Sequence, residues 1–302
     1  MRRTFSQVDV FSTRAGDGNP LAVVLDANGL DTADMQALAA WTNLSETSFV
    51  LPPTAVGASY RLRIFTPRQE LPFAGHPSVG TAHAVLDAGL AAAVDGALLQ
   101  ECAAGLLPLR VQGEGDARRI AVRAPRARLQ PAQPDASGLL SEALQGLALG
   151  ALAPTAVDNG PRWWVVELAD DRQVRAMAPR LARIAALTEA TQTVGLAVFG
   201  RTAAGSDHAL AVRAFCPADG IPEDPVTGSA QAAIAALMFE RGALGAGGPR
   251  YLASQGREMG RNGWVEVTVD ADGDVWVGGS SRTVVQGHLH WPARAAAAEP
   301  RA

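Results

Sequence analysis

Short runs of apolar, aromatic and β-branched residues recur along the chain, separated by breaks that contain Gly, Pro and Asn. The pattern predicts strands over 5–11, 21–25, 47–51, 60–65, 107–112 and 120–123. It predicts further strands over 163–168, 194–199, 209–215, 264–269 and 275–278. Helical periodicity is rarer. Thr32–Thr42 carries Met35, Leu38 and Trp41 on one face, behind Asp31 or Thr32 as N-cap. Segments 78–86 and 229–240 each follow a Pro-rich loop and stop at Gly89 and Gly242. The second is apolar on nearly every face from Ala230 to Met238, which marks a buried helix. Together these elements predict an α+β fold, with curved, mostly antiparallel sheets wrapped on central helices.

The same local order occurs twice. Arg63, Phe65, Pro67 and Pro72 fall on Arg213, Phe215, Pro217 and Pro222 when the chain is shifted by about 150 residues. At a shorter offset Gly18-Asn19-Pro20 and Asn159-Gly160-Pro161 each precede an apolar strand. Two halves of one fold follow, with the Arg- and Pro-rich stretch 125–134 as the boundary. Ligand sites favour clefts between such units. Loops 66–77 and 216–228 would open into that cleft, each feeding a helix N-terminus with free N–H groups. Gly75 and Gly228 permit close backbone approach there, and an anionic substrate such as a carboxylate is the expected ligand.

Composition narrows the chemistry. The 302 residues are 48% hydrophobic and 19% charged, enough apolar material for a packed core. All 26 basic residues are Arg, so lysine Schiff-base, pyridoxal phosphate and P-loop lysine chemistry have no residue to use. A net charge of −4 without a basic cluster gives no nucleic-acid footprint. No apolar run approaches the ~18 residues of a membrane helix, and no signal segment is visible, so a cytoplasmic protein is expected. Cys102 and Cys216 are isolated. There is no GxGxxG, HExxH or GxSxG. His288 and His290 alternate with Leu289 and lack a third ligand at metal-site spacing. Nicotinamide, ATP and zinc chemistry are therefore not expected.

Four residues remain as carriers of chemistry: Glu46 in Asn-Leu-Ser-Glu-Thr, His76 in Ala-Gly-His-Pro, Asp224 in Glu-Asp-Pro and Ser229 in Thr-Gly-Ser. Each has a plainer reading. Asp224 and His76 precede a proline and would serve as helix caps; Ser229 would be an ordinary helix-start serine; Glu46 would be a solvated loop carboxylate. The repeat favours function for His76, Asp224 and Ser229, because it brings them to corresponding ends of two halves.

Asn43-Leu44-Ser45-Glu46-Thr47, Leu71-Pro72-Phe73-Ala74-Gly75-His76-Pro77 and the run from Gly220 to Ala230 resemble the PhzF-like phenazine-biosynthesis isomerase family. Gly18-Asn19-Pro20 fits it too, and the likeness extends to about Trp291. The resemblance implies the diaminopimelate epimerase fold, with domains 1–127 plus 283–302 and 128–282 and the site between them. It implies Glu46 as general acid/base, with His76, Asp224 and Ser229 as further catalytic residues. Asn19, Gly75 and Gly228 are implied to bind substrate. The expected activity is a cofactor-independent proton shift on a small carboxylate, similar to that of trans-2,3-dihydro-3-hydroxyanthranilate isomerase. The expected assembly is a homodimer. Related epimerases use two thiols. The repeat pairs Ala74 with Asp224, neither a cysteine, which disfavours that mechanism. A metabolite-binding protein, and a racemase or lyase using the same base, are the alternatives. The Ala-rich tail 293–302 is expected to fray.

Overall fold

The computed structural model describes residues 2–131, 133–245 and 248–291. The tail 293–302 lies outside them. The first half runs β1 (Arg2–Val10), β2 (Asn19–Val24), α1 (Thr32–Thr42), β3 (Glu46–Leu51), β4 (Tyr60–Phe65), β5 (Glu70–Leu71) and α2 (Gly75–Asp87). It continues through β6 (Ala97–Cys102), β7 (Gly105–Gln112), β8 (Arg119–Arg123) and β9 (Arg128–Leu129). The second half runs α3 (Ser137–Ala143), β10 (Thr155–Asp158), β11 (Arg162–Glu167), α4 (Asp171–Ala176), α5 (Leu181–Thr191), β12 (Gly195–Arg201), β13 (Leu210–Cys216) and β14 (Ile221–Asp224). It closes with α6 (Gly228–Glu240), β15 (Arg250–Gln255), β16 (Gly263–Val269), β17 (Val275–Gly279) and β18 (Ser281–His290).

The halves share one pairing scheme. β2 lies parallel to β3 as β11 does to β12, and the α1 and α5 crossovers supply these connections. β3–β4 and β12–β13 are antiparallel; β4–β6 and β13–β15 are parallel. The α+β fold of two similar halves is the architecture found. The halves are also tied to each other: β8 pairs with β17, β9 with β10, and β18 returns to β1 over its whole length. α2 and α6 are the central helices, buried from Gly75 to Val85 and from Gly228 to Met238. On α2, a Cβ at Gly80 would come within 2.6 Å of Val10 and 2.8 Å of Leu21, so glycine lets the helix settle onto β1 and β2. The main core fills the space around α2 and reaches Val226, Ala232 and Ala235 of the other half. A second surrounds α6. Further cores lie under α1 and under α3–α5.

The repeat holds in its side chains. Arg63 forks onto Glu70 at 2.6–2.7 Å, and Arg213 forks onto Glu223 at 2.8 Å. Each guanidinium carbon lies 5.1 Å from the ring centroid of the Phe two residues on. The constant offset, however, breaks after this strand. Register pairs Ile64 with Leu71 and Ala214 with Asp224, so Leu71 corresponds to Asp224 and Gly75 to Gly228. Three extra residues enter at the 3₁₀ turn Pro217–Asp219 and Gly220, whose φ of +82° favours glycine. Pro72 therefore corresponds to Pro225 and not Pro222, and Ala74 to Thr227 and not Asp224.

Several local expectations change. α1 is capped by Asp31, which accepts from Asp34 N at 2.7 Å, but Trp41 is exposed and packs against Trp291. α2 and α6 start at Gly75 and Gly228, earlier than the apolar pattern indicates, because their first turns hold polar residues. Among the described residues no helix is long and apolar enough to cross a membrane.

Candidate active site

The site forms where the N-termini of α2 and α6 meet. A Cβ built on Gly75 would sit 3.0 Å from the Gly228 Cα, and one on Gly228 3.0 Å from the Gly75 Cα. A side chain at either position would press on the facing backbone, which would have to give by a few tenths of an ångström. Neither helix has a side-chain cap, so first-turn N–H groups of both are left to meet whatever occupies the junction. His76 and Ser229 follow the two glycines and occupy corresponding positions.

Glu46 opens β3, just after α1 ends with Asn43 in the left-handed conformation (φ +53°). Its Oε2 lies 3.4 Å from His76 Nε2. Both atoms are buried, and neither makes a hydrogen bond among the described residues. Burial and the neighbouring Asp224 push the Glu46 carboxyl up to about 8. Burial holds His76 down to about 3, leaving it neutral at physiological pH.

Asp224 ends β14 and caps neither helix; the reading of it as an N-cap is overturned, since α6 begins at Gly228. Its Oδ1 accepts from Asn19 Nδ2 at 3.0 Å and its Oδ2 from Thr227 Oγ1 at 2.5 Å. His76 likewise caps nothing, because it lies inside the first turn of α2. Burial raises Asp224 to about 6, against the pull of its hydrogen bonds to Thr227 and Asn19.

Asn19 is fully buried at the start of β2. The loop delivering it is tied down by Asp9, whose Oδ2 accepts from the Gly16 and Gly18 amides at 2.8 and 2.9 Å. Asn19 Nδ2 also donates to Val226 O at 2.9 Å, and Ser45 Oγ donates to Asn19 Oδ1 at 3.2 Å. On the far side Ser229 Oγ accepts from Trp163 Nε1 at 3.2 Å, and its own proton has no acceptor among the described residues. Asn159 Nδ2 donates to the Ser229 carbonyl at 2.9 Å. The structure thus brings Glu46, His76, Asp224, Asn19, Gly75, Gly228 and Ser229 together. Trp163, Asn159, Thr227 and Gln255 join them; none was predicted as a site residue, although Asn159 stood in the repeat and Thr227 in the Thr-Gly-Ser motif.

The halves differ at one decisive place. Sheet register makes Gly195 the counterpart of Glu46 and Trp163 the counterpart of Leu21. A Cβ at Gly195 would meet the Trp163 ring at 2.5 Å and Cys216 Sγ at 2.8 Å. The second half therefore has an indole where the first has a carboxylate. Cys216 is buried, and burial together with the nearby carboxylates raises its thiol well above its ordinary range. Two cysteines do not face each other at the helix starts. Among the described residues no three His, Cys, Asp or Glu groups are placed to share a metal ion.

A profile of the phenazine biosynthesis-like protein family (PhzC-PhzF) matches residues 8–288. The chain belongs to this family. It is 33% identical to trans-2,3-dihydro-3-hydroxyanthranilate isomerase of Pseudomonas fluorescens, over 84% of this chain and 86% of that one. It is 35% identical to antisense-enhancing sequence 1 of Schizosaccharomyces pombe, covering 94% of this chain and 97% of the relative. A predicted epimerase from Pseudomonas aeruginosa has a solved structure that superposes with a TM-score of 0.76 at 29% identity, covering 95% and 99%. Membership places the chain among isomerases and accounts for the epimerase-like pair of halves.

Proposed function

We propose that this chain shifts a proton within a small carboxylate-bearing substrate, with Glu46 as the single acid/base. The observation that carries this reading is the facing of Glu46 Oε2 and His76 Nε2 at 3.4 Å, both buried and unpartnered, beside two uncapped helix N-termini. The substrate carboxylate rests on the first-turn N–H groups of α2 and α6, and the Ser229 hydroxyl donates to it. Ionised Glu46 takes a proton from a substrate carbon, and the electron pair left behind is delocalised into the conjugated acid. Glu46 then delivers its proton, kept or exchanged with solvent, to another carbon and returns to its ionised form. Neutral His76, 3.4 Å away, is placed to form a hydrogen bond with Oε2 as Glu46 gains and loses the proton. Asp224 holds negative charge next to Glu46, which makes it a stronger base.

Because Gly195 and Trp163 stand where a second carboxylate would be, departure and return of the proton take place on one face of the substrate. Both amide protons of Asn19 are engaged by protein, so it enters this proposal as a positioning residue for Asp224. Counting β9 with its partner β10 and β18 with its partner β1 gives the proposed division 1–127 plus 283–302 and 128–282, with this cleft between the two parts. The founding substrate, trans-2,3-dihydro-3-hydroxyanthranilate, is the first compound to test. Incubation in D₂O with it and with a panel of small amino and hydroxy acids is expected to give isomer containing deuterium from solvent or retaining substrate hydrogen. Tight binding without isomer or exchange for every compound would replace this reading with that of a binding protein.

A further inference from the structure

Gln255 ends β15 and is completely buried. Its contacts are made in the polar layer behind Asp224. The Thr227 amide, which can only donate, lies 3.1 Å from Gln255 Oε1. The Asp224 carbonyl, which can only accept, lies 3.0 Å from Gln255 Nε2. Two backbone groups of opposite polarity therefore fix which end of the Gln255 amide is which. Gln231 Nε2 adds a second donor to Gln255 Oε1 at 3.2 Å.

The direction propagates. Gln255 Nε2 donates to Thr227 Oγ1 at 2.8 Å, so that hydroxyl spends its acceptor side on Gln255 and turns its proton to Asp224 Oδ2. On the other carboxylate oxygen, Asn19 Nδ2 is fixed as a donor by the Val226 carbonyl. Both oxygens of Asp224 thus receive protons from groups whose polarity is set by the main chain. Such contacts favour the ionised carboxylate. Among the described residues Glu46 draws only on the Ser45 hydroxyl, which is shared with Asn19 Oδ1, and its Oε2 makes no hydrogen bond.

We infer that Gln255 is a positioning residue that, acting through Thr227, decides which of the two neighbouring carboxyls in the site holds the proton: Glu46 carries it and Asp224 stays ionised. The inference rests on the proposed use of this pair but is tested without a substrate. The titratable groups around Asp224 are Glu46 from β3, His76 from α2, Cys216 from β13 and its own neighbour Glu223, which is engaged by Arg213. None of these touches Gln255 in the hydrogen-bond network. Its removal therefore alters the donors to Asp224 without removing a charge.

The experiment is a pH titration of the side-chain carboxyl carbons by ¹³C NMR on the full-length labelled protein. Signals are assigned with Glu46→Gln and Asp224→Asn. In the unsubstituted protein Asp224 is expected to titrate below Glu46. In Gln255→Met, and in the nearly isosteric Thr227→Val, the Asp224 midpoint is expected to rise by about one unit or more, the size of a lost charge-assisted contact. The Glu46 midpoint falls as the two groups begin to titrate over a common range. Thr227→Ser keeps the hydroxyl and is expected to keep the original order. Unchanged midpoints in a folded Gln255→Met or Thr227→Val protein would overturn the inference. Failure of both to fold would assign the network to stability alone and overturn it equally. A failed isomerase assay would leave the titration result standing, so the two readings fail separately.

Discussion

Asn19 Nδ2 donates to Asp224 Oδ1 at 3.0 Å across 205 positions of sequence. The same amide reaches Val226 O, so one side chain from the first half holds the segment leading into α6 of the second. The site therefore exists only when both halves are folded and docked. Asn19→Leu keeps the bulk but leaves Asp224 Oδ1 and a buried carbonyl without this donor. A loss of about 2–4 kcal/mol is expected in urea unfolding, since each buried unsatisfied group costs about 1–3 kcal/mol. A loss below about 0.5 kcal/mol would mean the contact is not maintained in solution.

The two facing glycines make a sharper packing prediction. Alanine at Gly75 or Gly228 would place a methyl about 3 Å from backbone, which has no rotamer with which to retreat. Each single substitution is expected to cost about 1–3 kcal/mol and to separate the helix ends. Thermal unfolding checks the first effect, and binding of a small carboxylate by calorimetry checks the second. Unaltered binding in both variants would detach the helix N-termini from the substrate carboxylate.

The pH dependence of activity follows from which group starts the reaction. Glu46 must be ionised to remove a proton, and burial with the neighbouring Asp224 places its titration at about 8. kcat/KM is expected to rise through a midpoint near 8 before any alkaline fall. A rate that falls across the same range would make Glu46 an acid in the first step.

Stability should respond in the opposite direction. Glu46 titrates at about 8 in the folded protein, against an ordinary value of 4.5 when the chain is unfolded. Between those values the folded state binds more protons, so this group's contribution is present at low pH and is lost as pH rises towards 8. Asp224 adds a loss of the same sign between 3.8 and about 6. His76, held at about 3 against 6.5, acts oppositely, because the unfolded chain takes up its proton first as pH falls. Glu46→Gln is expected to flatten the decline in Tm between about pH 7 and 8, above the range of Asp224 and most of that of the unfolded His76 imidazole. An identical decline in both proteins would place the Glu46 carboxyl in solvent.

Much of this was legible in the chain itself. The Arg-x-Phe repeat at 63 and 213 located two equivalent strands, and the glycine-led loops located two helix starts. What sequence could not show was the three-residue insertion at Pro217–Asp219, because the prolines at 72 and 222 match by chance across it. That single slip misaligned Asp224 with Ala74, while Pro225 next to it made Asp224 look like a cap. α5 carries Ile184, Leu187, Thr188 and Thr191 at helical spacing, a signal that was available and not used. The Trp163–Ser229 contact and the Gln255 network had no such signal. They depend on register between distant strands and on opposed backbone groups, which no local pattern records.

The most direct test compares solvent deuterium exchange and isomer formation by the unsubstituted protein and Glu46→Gln, using NMR in D₂O. The substrate is whichever small carboxylate the initial panel identifies. The account predicts that Glu46→Gln retains binding and fold but loses at least a hundredfold in both rates, as expected for removal of a positioned acid/base. Glu46→Gln turning over at more than about a tenth of the normal rate would contradict it, because the proton would then have another carrier.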